Sequence, residues 1–71
     1  MQRIETPRSS NIKLVDYDAE DKSLYVEFKA GGRYKYNNVP FEVFNEFETA
    51  GSAGKYFLST IKNKYTCTRI Y

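Results

Sequence analysis

Few side chains in this sequence could carry covalent or acid–base chemistry. The chain contains no histidine and a single cysteine, Cys67. A catalytic thiolate needs a neighbouring base, and no imidazole exists to supply one. We therefore interpret Cys67 as a small, buried or half-buried core thiol. The same counts exclude a disulfide framework and a Cys- or His-based zinc site, so we predict no enzyme, no catalytic residue, no cofactor and no metal.

Acidic residues gather around one turn and invite a calcium interpretation. Asp16, Asp18, Glu20 and Asp21 lie close together, and Glu27 follows at the spacing of the last ligand in an EF-hand loop. The sixth position of that loop favours glycine for a sharp turn, but Asp21 occupies it, and the flanking segments have strand patterns rather than helix patterns. We interpret these acids as a solubilising turn between two strands.

Charge is distributed unevenly along the 71 residues. Residues 1–48 contain seven basic and nine acidic residues, whereas residues 49–71 contain four basic residues and no acid. The last third is thus positively biased, which suits an anionic partner but also occurs on ordinary solvated surfaces. No apolar run approaches the ~20 residues of a membrane span, and the N-terminus lacks the apolar core of a signal peptide. With its lone thiol, the chain is expected in the cytoplasm.

Hydrophobic patterning predicts one small domain with an N-terminal arm. Hydrophobic residues make up 41% of the chain and aromatic residues 17%, which argues against disorder. The polar residues 1–11 are assigned to a flexible arm and residues 12–71 to the domain. Alternation and the content of β-branched and aromatic residues predict four strands, at Ile12–Tyr17, Ser23–Lys29, Arg33–Tyr36 and Lys64–Tyr71.

Between the third and fourth strands the apolar period changes to that of helices. Val43, Phe44 and Phe47 share one face of a first helix, which Pro40 can begin. Ser52 can cap a second short helix, whose apolar residues follow helical spacing at Ala53, Tyr56, Phe57 and Ile61. The predicted fold is therefore α+β: a small antiparallel β-sheet of βββααβ order with two short helices packed on one face.

The strand Arg33–Tyr36 carries two tyrosines on one face and two cations on the other. A three-residue loop, Ala30–Gly32, would pair Phe28 with Tyr34 and place both tyrosines in the core. A two-residue turn at the two glycines would instead turn them outward, as a stacking platform for unpaired bases. We favour the core alternative because a domain of this size needs buried aromatic area.

Several pieces of the sequence, taken in order, resemble the KTSC domain family. The resemblance runs from Ser9 to about Tyr65 and comprises Ser9-Ser10, Val15–Asp18, Leu24–Phe28, Tyr34–Tyr36, Val39-Pro40, Ala50–Phe57 and Ile61. The family is named for its occurrence at the C-terminus of some lysyl-tRNA synthetases, and it also occurs as short free-standing bacterial and phage proteins. It has no assigned catalytic activity, and its attachment to a tRNA-charging enzyme implies an RNA-binding module. One departure is Leu58, where members often carry asparagine.

These features lead to two hypotheses for function. In the first, the chain binds RNA, tRNA included, with little sequence specificity: basic side chains hold phosphates and tyrosines stack on bases. The candidate residues are Tyr25, Lys29, Arg33, Tyr34, Lys35, Tyr36, Lys55, Lys62, Lys64 and Arg69. In the second, the strand Lys64–Tyr71 lies at a sheet edge and pairs with a protein partner or forms a homodimer, with Tyr65 and Tyr71 as contact area.

Overall fold

All 71 residues are described by the computed structural model. Five strands form one sheet in which every neighbouring pair is antiparallel and the order along the sheet follows the chain: β1 (Gln2–Glu5), β2 (Ile12–Asp18), β3 (Ser23–Phe28), β4 (Arg33–Tyr36) and β5 (Cys67–Arg69). Between β4 and β5 lie α1 (Phe41–Thr49), α2 (Ala53–Tyr56) and a π-helical turn (Phe57–Ile61). The predicted α+β class, with an antiparallel sheet and two short helices, is confirmed.

The first strand, β1, lies in the segment that the sequence assigns to a flexible arm. Of its four residues only Ile4 is even half-buried, so the segment shows no alternating apolar pattern. Pairing with β2 holds it instead, with Ile4 opposite Val15 and Arg3 opposite Asp16. The guanidinium Nε of Arg3 lies 2.7 Å from a carboxylate oxygen of Asp16. The sequence pattern does not predict this strand, because cross-strand contacts, rather than its own hydrophobic pattern, hold it in place.

In the β3–β4 hairpin the side chains have the orientation predicted by the core alternative, but the pairing register differs from the predicted one. The Phe28 N–H donates to the Gly32 carbonyl at 3.0 Å, so the loop is Lys29–Gly31 and starts one residue earlier than predicted. Tyr34 therefore lies opposite Val26 rather than Phe28. Because the loop still has three residues, β4 presents the same faces as expected, and its tyrosines point to the core side.

A hydrophobic core fills the space between the sheet and the helices. Its buried members come from the three central strands, from the loop before α1 and from the helical segments: Ile12, Val15, Tyr17, Leu24, Val26, Tyr36, Val39, Val43, Phe44, Phe47, Ala53, Phe57 and Ile61. The Tyr17 ring stacks on Phe44 with centroids 5.4 Å apart, and its hydroxyl donates to the Val39 carbonyl at 2.6 Å. That bond satisfies a carbonyl which the core would otherwise leave without a partner.

The helical segments begin close to where the sequence predicts. Pro40 is expected to begin α1, but it lies at the N-cap, so the helix begins one residue later, at Phe41, and buries the predicted apolar face. Ser52 caps α2, because its hydroxyl accepts the Lys55 N–H at 3.3 Å. After α2 the helix widens: the Lys62 N–H donates to the Phe57 carbonyl at 3.0 Å, five residues back, as in a π-helix. The second predicted helix is therefore an α-helical turn followed by a π-helical one.

The last strand is shorter than predicted and ends in a β-bulge. Regular pairing with β4 covers Cys67–Arg69. Beyond it, the Ile70 N–H donates to the Arg33 carbonyl at 2.7 Å, while the Arg33 N–H donates to the Tyr71 carbonyl at 3.0 Å. Two residues thus oppose one, which reverses the side-chain alternation. As a result Tyr71 lies on the opposite face of the sheet from Cys67, whereas the sequence pattern places both on one face.

The cysteine is exposed, so the prediction of a buried or half-buried core thiol is wrong. Cys67 lies opposite Tyr36 and on the same face of the sheet as the core. It belongs to an edge strand, however, and the core is built from β2, β3, β4 and the helices. A residue with the right orientation therefore remains in solvent because its strand lies beyond the covered part of the sheet.

The sheet surface turned away from the helices contains a buried carboxylate. Asp16 is 1% exposed, and its oxygens accept hydrogen bonds from Arg3 (2.7 and 3.1 Å) and from Arg33 (2.8 Å). Burial alone would raise the pKa of Asp16, but the hydrogen bonds and charges of the two arginines outweigh burial and hold the pKa below its usual value. Because these residues lie in β1, β2 and β4, one carboxylate links three strands.

We expect Asp16→Asn to destabilise the fold by about 3 kcal/mol at neutral pH, because Arg33 loses the charge of its buried partner. A depressed folded-state pKa means that ionised Asp16 contributes stability above the unfolded-state pKa of about 3.9, and that this contribution is lost as pH falls through the folded-state value. The difference between wild type and variant should therefore disappear in strong acid. Urea unfolding in neutral and in strongly acidic buffer measures it.

The matched control is Asp21→Asn, which removes an exposed carboxylate that makes no ion pair. Its effect on the free energy of unfolding should stay within about 0.5 kcal/mol at either pH. Equal stability of Asp16→Asn and wild type at neutral pH would show that the carboxylate does not hold the strands together.

Candidate binding surfaces

We call the sheet surface opposite the helices the outer face. The register places on it Arg3, Glu5, Leu14, Asp16, Tyr25, Glu27, Arg33, Lys35 and Thr68. Arg33 bonds Asp16, lies 3.3 Å from Glu27, and has its guanidinium carbon 4.7 Å from the centroid of the Tyr25 ring. These contacts occupy Arg33 and cover one side of Tyr25. Lys35 makes no ion pair and is the free cation of this face.

Glu27 connects the outer face to the C-terminal residue. Its Oε1 accepts the Tyr71 hydroxyl at 2.6 Å, and the Lys13 ammonium lies 3.5 Å from Oε2. The hydrogen bond from Tyr71 is the strongest influence lowering the pKa of Glu27, with the Lys13 charge next among the effects that lower it, and the same bond raises the pKa of Tyr71. Tyr71, expected as an edge contact, thus lies across the outer face.

The two tyrosines of β4 lie on the helix side of the sheet. Tyr36 is 5% exposed, and burial raises the pKa of its hydroxyl to about 12. Tyr34 is half-buried: its ring meets Phe28 edge-to-face with centroids 5.7 Å apart, and the Arg69 guanidinium carbon lies 5.7 Å from its centroid. The outward tyrosine platform, which requires the two-residue turn, is therefore not formed.

Backbone carbonyls hold two of the candidate cations. The Lys29 ammonium donates to the carbonyls of Pro7 (2.9 Å) and Ser9, and so fastens the N-terminal segment to the β3–β4 loop. The Arg69 Nε donates to the Tyr71 carbonyl at 3.1 Å. A carbonyl does not neutralise its partner, so both positive charges remain at the surface.

The solvent side of α2 and of the π-helical turn is basic. Lys55 and Lys62 are exposed on either side of Leu58, which is itself 56% exposed, while the opposite side of the segment is buried. Neither these lysines nor Lys64, two residues further, makes an ion pair. We call Lys55, Lys62 and Lys64 the lysine group. The neighbouring Tyr65, expected as an edge contact, packs against the core instead, with the Lys64 ammonium 5.9 Å from its centroid.

A cleft of about 590 Å³ lies between the N-terminal segment and the connection from α1 to α2, lined by residues within 4–10 and 47–53. Ile4, Phe47 and Ala53 contribute apolar surface. The acids Glu5 and Glu48 also line it, and neither makes an ion pair. This is the one cleft in the structure that is large enough for a ligand side chain or a short chain segment.

None of the residues predicted from the sequence as a binding site lines this cleft. Two of the pieces that carry the family resemblance, Ser9-Ser10 and Ala50–Phe57, nevertheless meet beside it. Their approach is close, since a β-carbon added at Gly54 would lie 3.7 Å from the Ser9 hydroxyl oxygen and 2.8 Å from the Oδ1 of the adjacent Asn11. The joint presence of these two pieces is the signal that could have located the cleft.

The structure contains no group of three or more acidic or cysteine side chains that could hold a metal ion. None of its helices combines the length and the apolar character needed to cross a membrane. Its thiol, Cys67, is not part of a disulfide.

Comparison with known proteins places this fold among relatives of two sizes. The chain is 39% identical over 59 residues to a lysine–tRNA ligase of Trichormus variabilis. This match covers 83% of this chain and 10% of the ligase. It is 36% identical over 58 residues to a small protein of Stutzerimonas stutzeri, and the match covers 82% of each. This chain thus spans about a tenth of the length of the ligases it matches.

A solved structure matches this chain over almost its whole length. The crystal structure of a KTSC domain protein from Yersinia pestis has a TM-score of 0.91 and 34% sequence identity, and the superposition covers 99% of this chain and 97% of that one. The family model described as the KTSC domain matches residues 8–65. On these matches in sequence and structure, the chain belongs to the KTSC domain family.

Proposed function

We propose that this chain is a binding module without catalytic activity, and that it holds RNA by its phosphates. The lysine group provides the main contacts, with Lys35, Lys29 and Arg69 adding positive charge. Stacking contributes little, because the rings on β4 face the helices. The observation that carries the proposal is that no member of the lysine group has a carboxylate partner, although the chain as a whole is nearly balanced in charge, with a net +2.

The distribution of unpaired charge over the molecule supports this proposal. In the first two thirds of the chain, Asp16 and Glu27 neutralise arginine charges on the outer face. Residues 49–71 contain no acid, and none of their lysines forms an ion pair with a carboxylate elsewhere in the chain. A surface of this kind attracts a polyanion through its phosphates and does not read its sequence.

The similarity to lysine–tRNA ligases supports the same partner. By name these relatives join lysine to tRNA, and the part they share with this chain is about a tenth of their length. A small basic domain on such an enzyme is suited to add phosphate contacts to a tRNA held elsewhere. The same domain on its own is expected to bind RNA weakly, since few phosphates are contacted.

We expect the chain to bind labelled tRNA weakly, with the logarithm of affinity falling against the logarithm of salt concentration by about 0.9 per phosphate contacted. The double variant Lys62→Gln/Lys64→Gln should lower affinity several-fold and flatten this slope by about 2, because two phosphate contacts are lost. Fluorescence anisotropy over a series of low salt concentrations measures both quantities.

A control with the same net charge is Lys13→Gln/Lys22→Asn. Lys13 faces Glu27 at 3.5 Å, and Lys22 lies in the acidic β2–β3 turn with φ 55°, which asparagine tolerates. This variant should keep the wild-type slope. Equal losses in the two double variants, or wild-type binding that does not respond to salt, would rule out the lysine group as the RNA contact.

The free edge of β5 favours a second candidate function, pairing with a second copy or another protein. Thr66 and Ile70 direct backbone groups to β4, so the N–H and C=O groups of Cys67 and Arg69 point away from the sheet. Unpaired edge groups of this kind are a template for strand addition. Because the tyrosines expected to enlarge the contact lie elsewhere, such pairing would depend on backbone hydrogen bonds.

If copies pair through β5, sedimentation equilibrium at high concentration should show a dimer. Cys67→Pro should convert it to monomer, because proline removes an outward N–H and leaves the bonds to β4 in place. Cys67→Val keeps the N–H, excludes any disulfide and should remain dimeric. A monomeric wild type at high concentration would eliminate self-pairing.

A further inference from the structure

The other edge of the sheet, β1, also has unpaired backbone groups. The Thr6 N–H donates to the Lys13 carbonyl at 3.1 Å, and Ile4, two residues earlier, has the same orientation toward β2. The N–H and C=O groups of Arg3 and Glu5 therefore point out of the sheet. They form a short row of donors and acceptors that no part of this chain satisfies.

The cleft adjoins this row. Ile4 and Glu5 belong to β1 and also line the cleft, whose far wall includes Phe47 and Glu48 at the end of α1. A strand added to β1 would direct its side chains alternately to the two sides of the sheet. The residue opposite Ile4 would point to the helix side and enter the cleft, while its neighbours would point to the outer face.

The side chains along β1 determine which residues of an added strand are favoured opposite them. Glu5 is exposed and makes no ion pair, so a basic residue is favoured opposite it. Arg3 bonds Asp16 but remains 57% exposed, so an acidic residue is favoured opposite it. Ile4 lies between them, and the apolar surface beside it favours an apolar side chain.

The cleft itself favours an uncharged, apolar side chain opposite Ile4. Its lining contains one acid, Glu48, and one basic residue, Arg8, besides Glu5, whose side chain lies on the outer face. With about 590 Å³, the cleft is large enough to accept a whole apolar side chain of the added strand.

From this arrangement we infer that β1 and the adjoining cleft form a docking site for an extended peptide of a partner protein. The peptide adds antiparallel to β1 as a sixth strand, with the local pattern basic, apolar, acidic opposite Glu5, Ile4 and Arg3. Backbone hydrogen bonds supply affinity and the alternate side chains supply specificity, as in other cases of strand addition to a sheet edge.

Two acetylated and amidated peptides of identical composition test the pattern. The first, Thr-Lys-Leu-Glu-Val-Thr, places lysine opposite Glu5 and glutamate opposite Arg3. The second, Thr-Glu-Leu-Lys-Val-Thr, exchanges the two charges. The first should bind roughly tenfold more tightly, because two cross-strand charge pairs change sign between the peptides. Titration followed by amide chemical shifts of the labelled chain measures affinity and locates the peptide.

Substitutions in the chain test the site independently. Glu5→Lys should remove the preference between the two peptides. Its matched control, Glu20→Lys, changes the same charge in the β2–β3 turn and should keep the preference. Ala50→Phe puts a ring into the cleft lining and should weaken both peptides. Amide spectra of the free variants show whether each keeps the fold.

Methylated peptides distinguish strand addition from simple occupation of the cleft. N-methylation at the lysine and glutamate of the first peptide removes the donors that face β1 and should abolish binding. N-methylation at its leucine and valine affects outward amides and should leave binding intact. Binding that survives the first modification, equal affinity for the two unmodified peptides, or no binding of either overturns the inference.

A nucleic acid is the competing occupant, and the same spectra detect it. If a single-stranded oligonucleotide shifts the amides of Glu5 and Ala50 as the peptide does, the cleft belongs to nucleic acid and the inference is wrong. The double variant Lys62→Gln/Lys64→Gln distinguishes peptide docking from RNA binding. It should weaken RNA binding and leave peptide affinity unchanged.

Discussion

The carboxylate of Asp16 organises the open side of this sheet. It is buried without the protection of a second layer, and only the guanidinium groups of Arg3 and Arg33 satisfy its charge. Removing water from a carboxylate costs free energy that paired, well-directed hydrogen bonds offset. Because its partners come from strands on either side, the first and fourth strands are held in register with the second by one ionic group. A short, polar edge strand can persist on such contacts.

The same ion pairs decide which charges of the molecule remain for other partners. Asp16 and Glu27 bind the arginines of the outer face, and Glu27 also receives the hydroxyl of Tyr71. The outer face is therefore largely neutralised, although it contains several charged residues. The lysine group lies on the other side, in a segment without acids. Total charge is thus a poor guide to this surface, whereas the location of unpaired charge is informative.

Two short helical segments cannot cover five strands, and the uncovered parts are the two edges. At β5 the consequence is an exposed Cys67 and a row of outward backbone groups. At β1 it is a cleft whose lining comes from residues within 4–10 and 47–53. Beside the cleft, Gly54 lies close to Asn11. Only a glycine permits this approach, because a side chain at this position would collide with the Asn11 amide. Both edges therefore combine free backbone groups with side chains not used by the core.

The sequence by itself determined β2, β3 and β4, the two helical segments and the faces of these elements that pack on the core, because hydrophobic periodicity is a local property of the chain. It also indicated that the tyrosines of β4 face inward, since that outcome depends on loop parity rather than on exact register. Only the tertiary structure decided the strand β1, the pairing of Tyr34 with Val26 rather than Phe28, the ion pairs of Arg33, and the cleft lined by residues within 4–10 and 47–53. Each of these depends on pairing between residues far apart in sequence, whose energies no local pattern records.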